Sequence, residues 1–97
     1  MANQPEGMDP AYAAQFALIQ QTFIARLPQR LQDILQAPDE QACHVALHRL
    51  AGAAGGYGYA ELGQMACTAL RALKAGEPAD LATALRRLQQ EMDVLMR

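Results

Sequence analysis

Two histidines stand four positions apart in the sequence, and small residues surround one of them. His48 is preceded by His44 and followed by Gly52 and Gly55. At about 100° per helical residue, both glycines project close to His48. Glycine inside a helix lowers stability by roughly 0.5–1 kcal/mol relative to alanine. Two glycines beside one ring therefore indicate that another group has to approach that ring closely. The pattern indicates a ring that is open to approach, and neutral imidazole is a good nucleophile.

The helix that positions His48 is predicted over about 39–55, with Asp39 as its N-cap. The side opposite the histidine is apolar and forms a core-facing stripe. This stripe consists of Cys43, Ala46, Leu47, Leu50, Ala53 and Ala54. The glycine-rich run 55–58 ends the helix. His48 is therefore expected to point away from the core.

The first helix is predicted to start at Asp9 and Pro10, which have the types of an N-cap and a first helical residue. Apolar residues then recur at helical spacing on both sides of Pro28. They are Tyr12, Phe16, Ile19, Phe23, Leu27, Leu31, Ile34 and Leu35. An unbroken stripe across a proline indicates one kinked helix, about 10–36, whose halves face the same core.

Two more helices are predicted over about 59–75 and 79–96, separated by the breaker sequence at 76–78. Their apolar residues are Leu62, Met65, Ala66, Ala69, Leu70 and Leu73 in the first, and Leu81, Leu85, Leu88, Met92 and Leu95 in the second. Short connections force neighbouring helices to run antiparallel. The predicted fold is all-α, an antiparallel up-down four-helix bundle with the first helix kinked near Pro28.

Length and composition predict a single domain over 9–97 that follows a flexible leader at 1–8. The net charge of −2 provides no positive electrostatic potential to attract nucleic acid, so we expect no nucleic-acid partner. No apolar run reaches the roughly 20 residues that span a bilayer, and the amino terminus has no signal-peptide pattern. We therefore expect a cytoplasmic protein with no membrane partner, and the polar outer faces of the helices favour a monomer. The absence of a clear linker at either end favours a free protein.

The two cysteines, Cys43 and Cys67, fall on predicted core-facing positions. Small buried residues are the simplest interpretation of both. Nothing in the chain has zinc-site spacing.

The sequence around His48 resembles the signature of histidine-containing phosphotransfer domains. The resemblance rests on His48, Leu50, Gly52, Gly55, Gly58 and Leu62. The family motif is usually H-x-L-K-G, whereas this chain reads H-R-L-A-G, so Ala51 stands where lysine is usual. The resemblance implies a phosphocarrier, not an enzyme, that is phosphorylated on His48. It also implies response-regulator receiver domains and a sensor or hybrid histidine kinase as partners. The catalytic pocket and magnesium ion would belong to the receiver, with no cofactor bound by this chain.

Two sets of neighbours are candidate site residues. Those expected to dock the partner or leave room for it are His44, Val45, Arg49, Ala51, Gly52 and Gly55. Counting back from the turn near 56–59 places three residues of the next helix level with the ring. These are Gln64, which is a candidate to orient the imidazole, Thr68, and Arg71, which is a candidate to replace the charge missing at Ala51. No metal-binding residue is predicted in this interpretation.

Two alternatives from other classes remain open. The first is a pseudo-phosphotransfer module that docks receivers or a kinase without relaying phosphate, which Ala51 favours. The second is a metal- or ligand-binding bundle that uses His44 and His48, because histidines at i and i+4 share one helix face.

Overall fold

The computed structural model describes residues 9–97, and this part of the chain contains helices and no strand. The helices are α1 (Pro10–Ala25), α2 (Leu27–Leu35), α3 (Glu40–Gly56), α4 (Ala60–Ala75) and α5 (Pro78–Leu95). Because α1 and α2 are the two halves of one helix bent by 38°, the fold is a four-helix bundle, as predicted. The predicted leader at 1–8 lies outside the described residues.

The bend between α1 and α2 lies at Arg26, two residues before Pro28. The Arg26 amide donates to the carbonyls of Thr22 (3.2 Å) and Phe23 (3.1 Å), which closes α1. Pro28 is near the start of α2, where its missing N–H leaves no gap in the helical hydrogen bonds of that segment. The predicted kink is confirmed.

Both predicted N-caps are present. The Asp9 carboxylate accepts a hydrogen bond from the Ala11 amide at 2.8 Å, and the Asp39 carboxylate accepts one from the Ala42 amide at 2.8 Å. At its other end, α4 closes on Gly76, whose φ of +69° is the left-handed conformation that glycine adopts without strain. Local sequence therefore accounts for the starts of α1 and α3 and for the end of α4.

The core lies along α4, which packs between α3 and α5. The largest fully buried side chains are Leu27, Leu47, Leu50, Leu62, Leu88 and Met92. The apolar stripes predicted for α4 and α5 are buried or half-buried. No helix among residues 9–97 is both long and apolar enough to cross a bilayer.

The stripe predicted for the first helix is wrong at three positions. Tyr12 is 65% exposed, Ile19 is 45% exposed, and Leu35, the last residue of α2, is 49% exposed. Gly58, in the turn between α3 and α4, lies beside Phe16, one helical turn after Tyr12. Ile19 lies about 40° around the helix from the buried Phe23, at the edge of the stripe.

Candidate functional site

His48 lies on the exposed side of α3. Its neighbours Leu47 and Leu50 are fully buried, and they fix the rotation of the helix about its axis. A β-carbon placed at Gly52 or Gly55 would meet no other atom within 4 Å. The structure therefore leaves open space beside the imidazole.

The carboxyl end of α3 is anchored to α1 through the turn that follows it. The side-chain amide of Gln20 donates to the Tyr57 carbonyl at 2.8 Å. The Phe23 ring lies 5.3 Å from the Tyr57 ring and 5.4 Å from the Tyr59 ring, measured between centroids. Gly58 has φ of +88°, which allows this turn to reverse direction. These contacts fix the carboxyl end of α3, the helix that carries His48.

Sequence reasoning missed this anchor. Two tyrosines flanking a glycine after a helix were a usable signal, because aromatic side chains beside a tight turn find a partner when they are half-buried.

A groove between α3 and α4 runs along one side of His48. It is lined by Ala51, Gly55, Ala60, Gly63, Gln64, Cys67, Thr68 and Arg71. The Arg71 guanidinium donates to the Thr68 hydroxyl at 3.3 Å, and that hydroxyl donates to the Gln64 carbonyl at 3.0 Å. The three α4 residues predicted to share one groove do so. None of the side-chain hydrogen bonds within residues 9–97 joins Gln64 to His48.

Gly63 brings α4 close to α3 at this groove, and the sequence analysis did not single it out. It is buried, and a β-carbon there would lie 3.3 Å from the Ala51 carbonyl oxygen and 3.6 Å from the Gly55 amide nitrogen. A glycine between core positions of a predicted helix was the signal, because such a glycine often marks a close helix contact.

A cleft between α2 and α3 lies on the other side of His48. Its α3 wall includes Val45 and Arg49, both candidate docking residues, and its α2 wall includes Arg30. The Arg30 guanidinium carbon lies 5.6 Å from the Phe23 ring centroid. Its Nε is buried and has no hydrogen-bond partner among the described residues. Sequence reasoning did not single out Arg30, because a charged residue on an amphipathic helix is usually exposed to solvent.

His48 thus lies on the ridge of α3 between the groove and the cleft. Ala51 is about 60° to one side of it in projection, and Val45 is about 60° to the other. Arg71 lines the first depression and Arg49 the second.

His44 lies one turn before His48 on the same face. It is half-buried, and its ring is stacked on that of His48 with a centroid separation of 6.2 Å and an interplanar angle of 6°. No group of three or more His, Cys, Asp or Glu side chains among residues 9–97 is placed to hold a metal ion. Within this described part of the chain, His44 and His48 form a pair of histidines without a third ligand of these types beside them.

The two cysteines differ in exposure. Cys43 is half-buried against the core, as predicted, whereas Cys67 is exposed in the groove, so its predicted burial is wrong. The reason is angular: Cys67 follows the buried Ala66 by about 100°, which takes it off the core-facing stripe. Burial raises the pKa of the Cys43 thiol, and the Glu40 carboxylate raises it further.

The family model for the Hpt domain matches residues 19–97, which is most of the chain. The chain belongs to the Hpt domain family. A comparison with curated proteins found no match, and a comparison with solved structures found none either. The resemblance seen in the sequence is therefore confirmed at the level of the family.

Membership of the family defines the class of function. Hpt domains are phosphocarrier modules of two-component signalling that work with kinases and receiver domains, and they are not catalysts themselves. His48, Ala51 and the flanking glycines all fall within the matched residues.

Proposed function

We propose that this protein is a phosphocarrier of a two-component phosphorelay and that His48 carries the phosphoryl group. It accepts the group from a receiver-domain aspartate, or from a kinase, and passes it to a response-regulator receiver domain. The observation that supports this most directly is an exposed imidazole with open space at Gly52 and Gly55, within the residues that match the family. The proposal includes a cytoplasmic location and a monomeric state.

The proposed transfer is a single displacement at phosphorus. The unprotonated ring nitrogen of His48 attacks the aspartyl phosphate of the receiver, so that an N–P bond forms while the P–O bond to the aspartate breaks. The aspartate leaves as a carboxylate, and the other ring nitrogen keeps its proton. The same steps in reverse pass the group onward. The receiver supplies the magnesium ion and the acidic pocket, and this chain binds no cofactor.

The proposed docking surface surrounds the ring. It consists of His44, Val45, Arg49, Ala51, Gly52 and Gly55. Small and apolar residues form its centre, while the arginine and histidine form its rim, which is the arrangement usual in protein interfaces. A carrier has to release one receiver before it meets another, so the complex is expected to be transient and small.

Ala51 supports a second candidate function, a module that binds receivers without relaying phosphate. It occupies the position where the family usually has lysine, and it lines the same groove as Arg71. A lysine here would extend into that groove, where the Arg71 guanidinium already places positive charge. We therefore propose that Arg71 substitutes for the missing lysine, with Gln64 and Thr68 beside it.

Transfer from a radiolabelled phospho-receiver tests the first function. Label is expected on the wild-type protein and absent from His48→Gln, and it is expected to be acid-labile and base-stable. His44→Gln is the matched control on the same helix face. Label on His44→Gln, whether it arrives quickly or slowly, shows that His44 is not the acceptor and identifies His48 as the acceptor. Label that persists on His48→Gln contradicts the proposal.

Arg71→Ala and Arg71→Ala/Ala51→Lys separate the two candidates. If Arg71 stabilises the transferring group, the single variant slows transfer about tenfold, which corresponds to about 1.4 kcal/mol of barrier, and the added lysine restores most of the rate. The binding-only candidate requires that receivers bind the wild-type protein while no label moves. Equal rates in all three proteins would remove the role proposed for Arg71.

A further inference from the structure

The imidazole rings of His44 and His48, which are stacked one helical turn apart on α3, are placed to hold a metal ion. We propose that His44 and His48 form a binding site for a divalent transition-metal ion of the borderline class, such as Ni²⁺, Cu²⁺ or Zn²⁺, and that the bound ion blocks the reactive nitrogen of His48. Water would fill the remaining coordination positions. The binding stands independently of the proposed phosphotransfer, and only its consequence for signalling rests on that function.

The two rings reach one shared ion after rotation of their side chains. Their centroids are 6.2 Å apart and their planes are nearly parallel. Two imidazoles that bind one ion at about 2 Å both contain the ion in their ring planes, and at a bond angle of about 90–110° their centroids lie about 4.5–5 Å apart. Rotations about the side-chain bonds that tilt the rings toward each other and shorten their separation by about 1–2 Å give this arrangement, since both side chains leave the same helix face one turn apart.

Both rings are also free to coordinate. None of the side-chain hydrogen bonds within residues 9–97 involves His44 or His48. No protein group therefore has to be displaced before a metal binds. The open space at Gly52 gives the ion and its waters access from solvent.

The ligand set predicts selectivity. Two imidazoles suit nickel, copper and zinc, and affinity should rise from Ni²⁺ to Cu²⁺ and fall again at Zn²⁺. Magnesium and calcium prefer oxygen ligands and should not compete. A ring nitrogen bound to a metal has no lone pair to attack phosphorus, so metal binding and phosphorylation at His48 exclude each other if they use the same nitrogen.

Calorimetric titration of the full chain with Ni²⁺ tests the site. The wild-type protein should bind one ion, and His44→Ala and His48→Gln should each lose at least tenfold in affinity. A rescue variant, His44→Ala/Gly52→His, restores two histidines at i and i+4. Its matched control, His44→Ala/Gly56→His, places the second histidine eight residues from His48. Both glycine positions have open space for a side chain.

The spacing variants decide between chelation and a local packing effect. Recovery of binding in the Gly52→His rescue but not in the Gly56→His control supports chelation by the pair. Unchanged Ni²⁺ affinity in His44→Ala, or binding in the wild type with less than one ion per chain at saturation, overturns the site.

The blocking of His48 is tested without a receiver, because Ni²⁺ would also compete for the receiver's magnesium. Diethylpyrocarbonate modifies free imidazole nitrogen, and the modified residue is located by mass spectrometry. Saturating Ni²⁺ should slow modification of His48 at least tenfold, and a chelator should restore the rate. Equal modification with and without Ni²⁺ overturns the blocking even if the ion binds. Failure of phosphotransfer itself would change neither result.

Discussion

At the scale of single residues, the reactivity proposed for His48 depends on the absence of side chains beside its ring. The glycines one and two turns after it provide no side chain that could shield the ring. The same glycines weaken the helix, because each costs roughly 0.5–1 kcal/mol relative to alanine.

Gly52→Leu tests the need for open space. Leucine is a better helix former than glycine, so stability should not fall and should rise by up to about 1 kcal/mol. The side chain would stand beside the ring, and transfer from a phospho-receiver should slow at least tenfold. Urea denaturation and the transfer assay measure the two effects. Gly56→Leu is the control, since Gly56 also has open space but lies at the end of α3. Equal slowing in both variants would show that clearance at Gly52 is not specific.

The two thiols should differ in their pH dependence. Burial and the Glu40 carboxylate raise the pKa of the Cys43 thiol, so less thiolate forms at a given pH. Alkylation of Cys43 in a Cys67→Ser variant should therefore need a higher pH in the folded protein than in urea. The neutral thiol favours the folded state, and this stabilisation is complete below the unfolded pKa and lost as pH rises through the folded one. Coincident rate–pH curves in the two conditions would contradict the shift.

Residue types and spacing were enough to predict that His48 is exposed beside two glycines and that Gln64, Thr68 and Arg71 line one groove. They were not enough for Cys67, which lies at the edge of a helical stripe. At an edge, a rotation of a few tens of degrees decides between core and solvent, and only the packing of α4 between its neighbours sets that rotation.

At the scale of the helices, the groove beside His48 depends on how closely α4 approaches α3. Gly63 permits this approach, because its α-hydrogen faces the backbone of α3 at Ala51. The contact is backbone against backbone, so it has little freedom to adjust.

Gly63→Ala should be less stable than Gly52→Ala by about 1–2 kcal/mol, the cost of a modestly overpacked helix contact. The comparison cancels helix propensity, because both changes replace glycine by alanine within a helix. The new methyl group at residue 63 meets the Ala51 carbonyl oxygen at 3.3 Å, whereas at residue 52 it meets nothing. Denaturant unfolding of the two variants measures the difference. Equal stabilities would mean that α3 and α4 separate at no cost.

Helix positions and the bend were predictable because they rest on local signals: aspartate caps, proline and glycine. The burial of the first helix was not. Tyr12 and Ile19 continue an apolar stripe, but whether such a stripe is covered depends on how far the other helices extend. That length is a property of the assembled bundle and not of the stripe itself.

At the scale of the whole molecule, one aromatic cluster connects the bent first helix to the helix pair that carries the site. Phe23 is 2% exposed and contacts Tyr57 and Tyr59 in the turn after α3. Arg30 covers the other side of the same ring. This cluster is a direct contact between the first helix and the turn that follows α3.

Phe23→Ala should destabilise the protein by about 3–5 kcal/mol, the range for a buried aromatic residue. That is a large part of the 5–15 kcal/mol typical of a small domain. Thermal and urea unfolding measure the loss. Leu18→Ala is the control, because Leu18 is 61% exposed on the same helix and should change stability by less than about 0.5 kcal/mol. A similar loss in both variants would mean that α1 is held by contacts other than the Phe23 cluster.

The identity of the residue that carries phosphate is tested most directly by NMR of the protein with ¹⁵N-labelled histidine rings. The spectrum would be recorded after incubation with a phospho-receiver. We expect a ring nitrogen of His48 to show coupling to phosphorus, with the signals of His44 lacking it. Phosphorus coupled to His44, or a receiver that binds without any coupling at either ring, would contradict the assignment of His48 as the phosphoryl carrier.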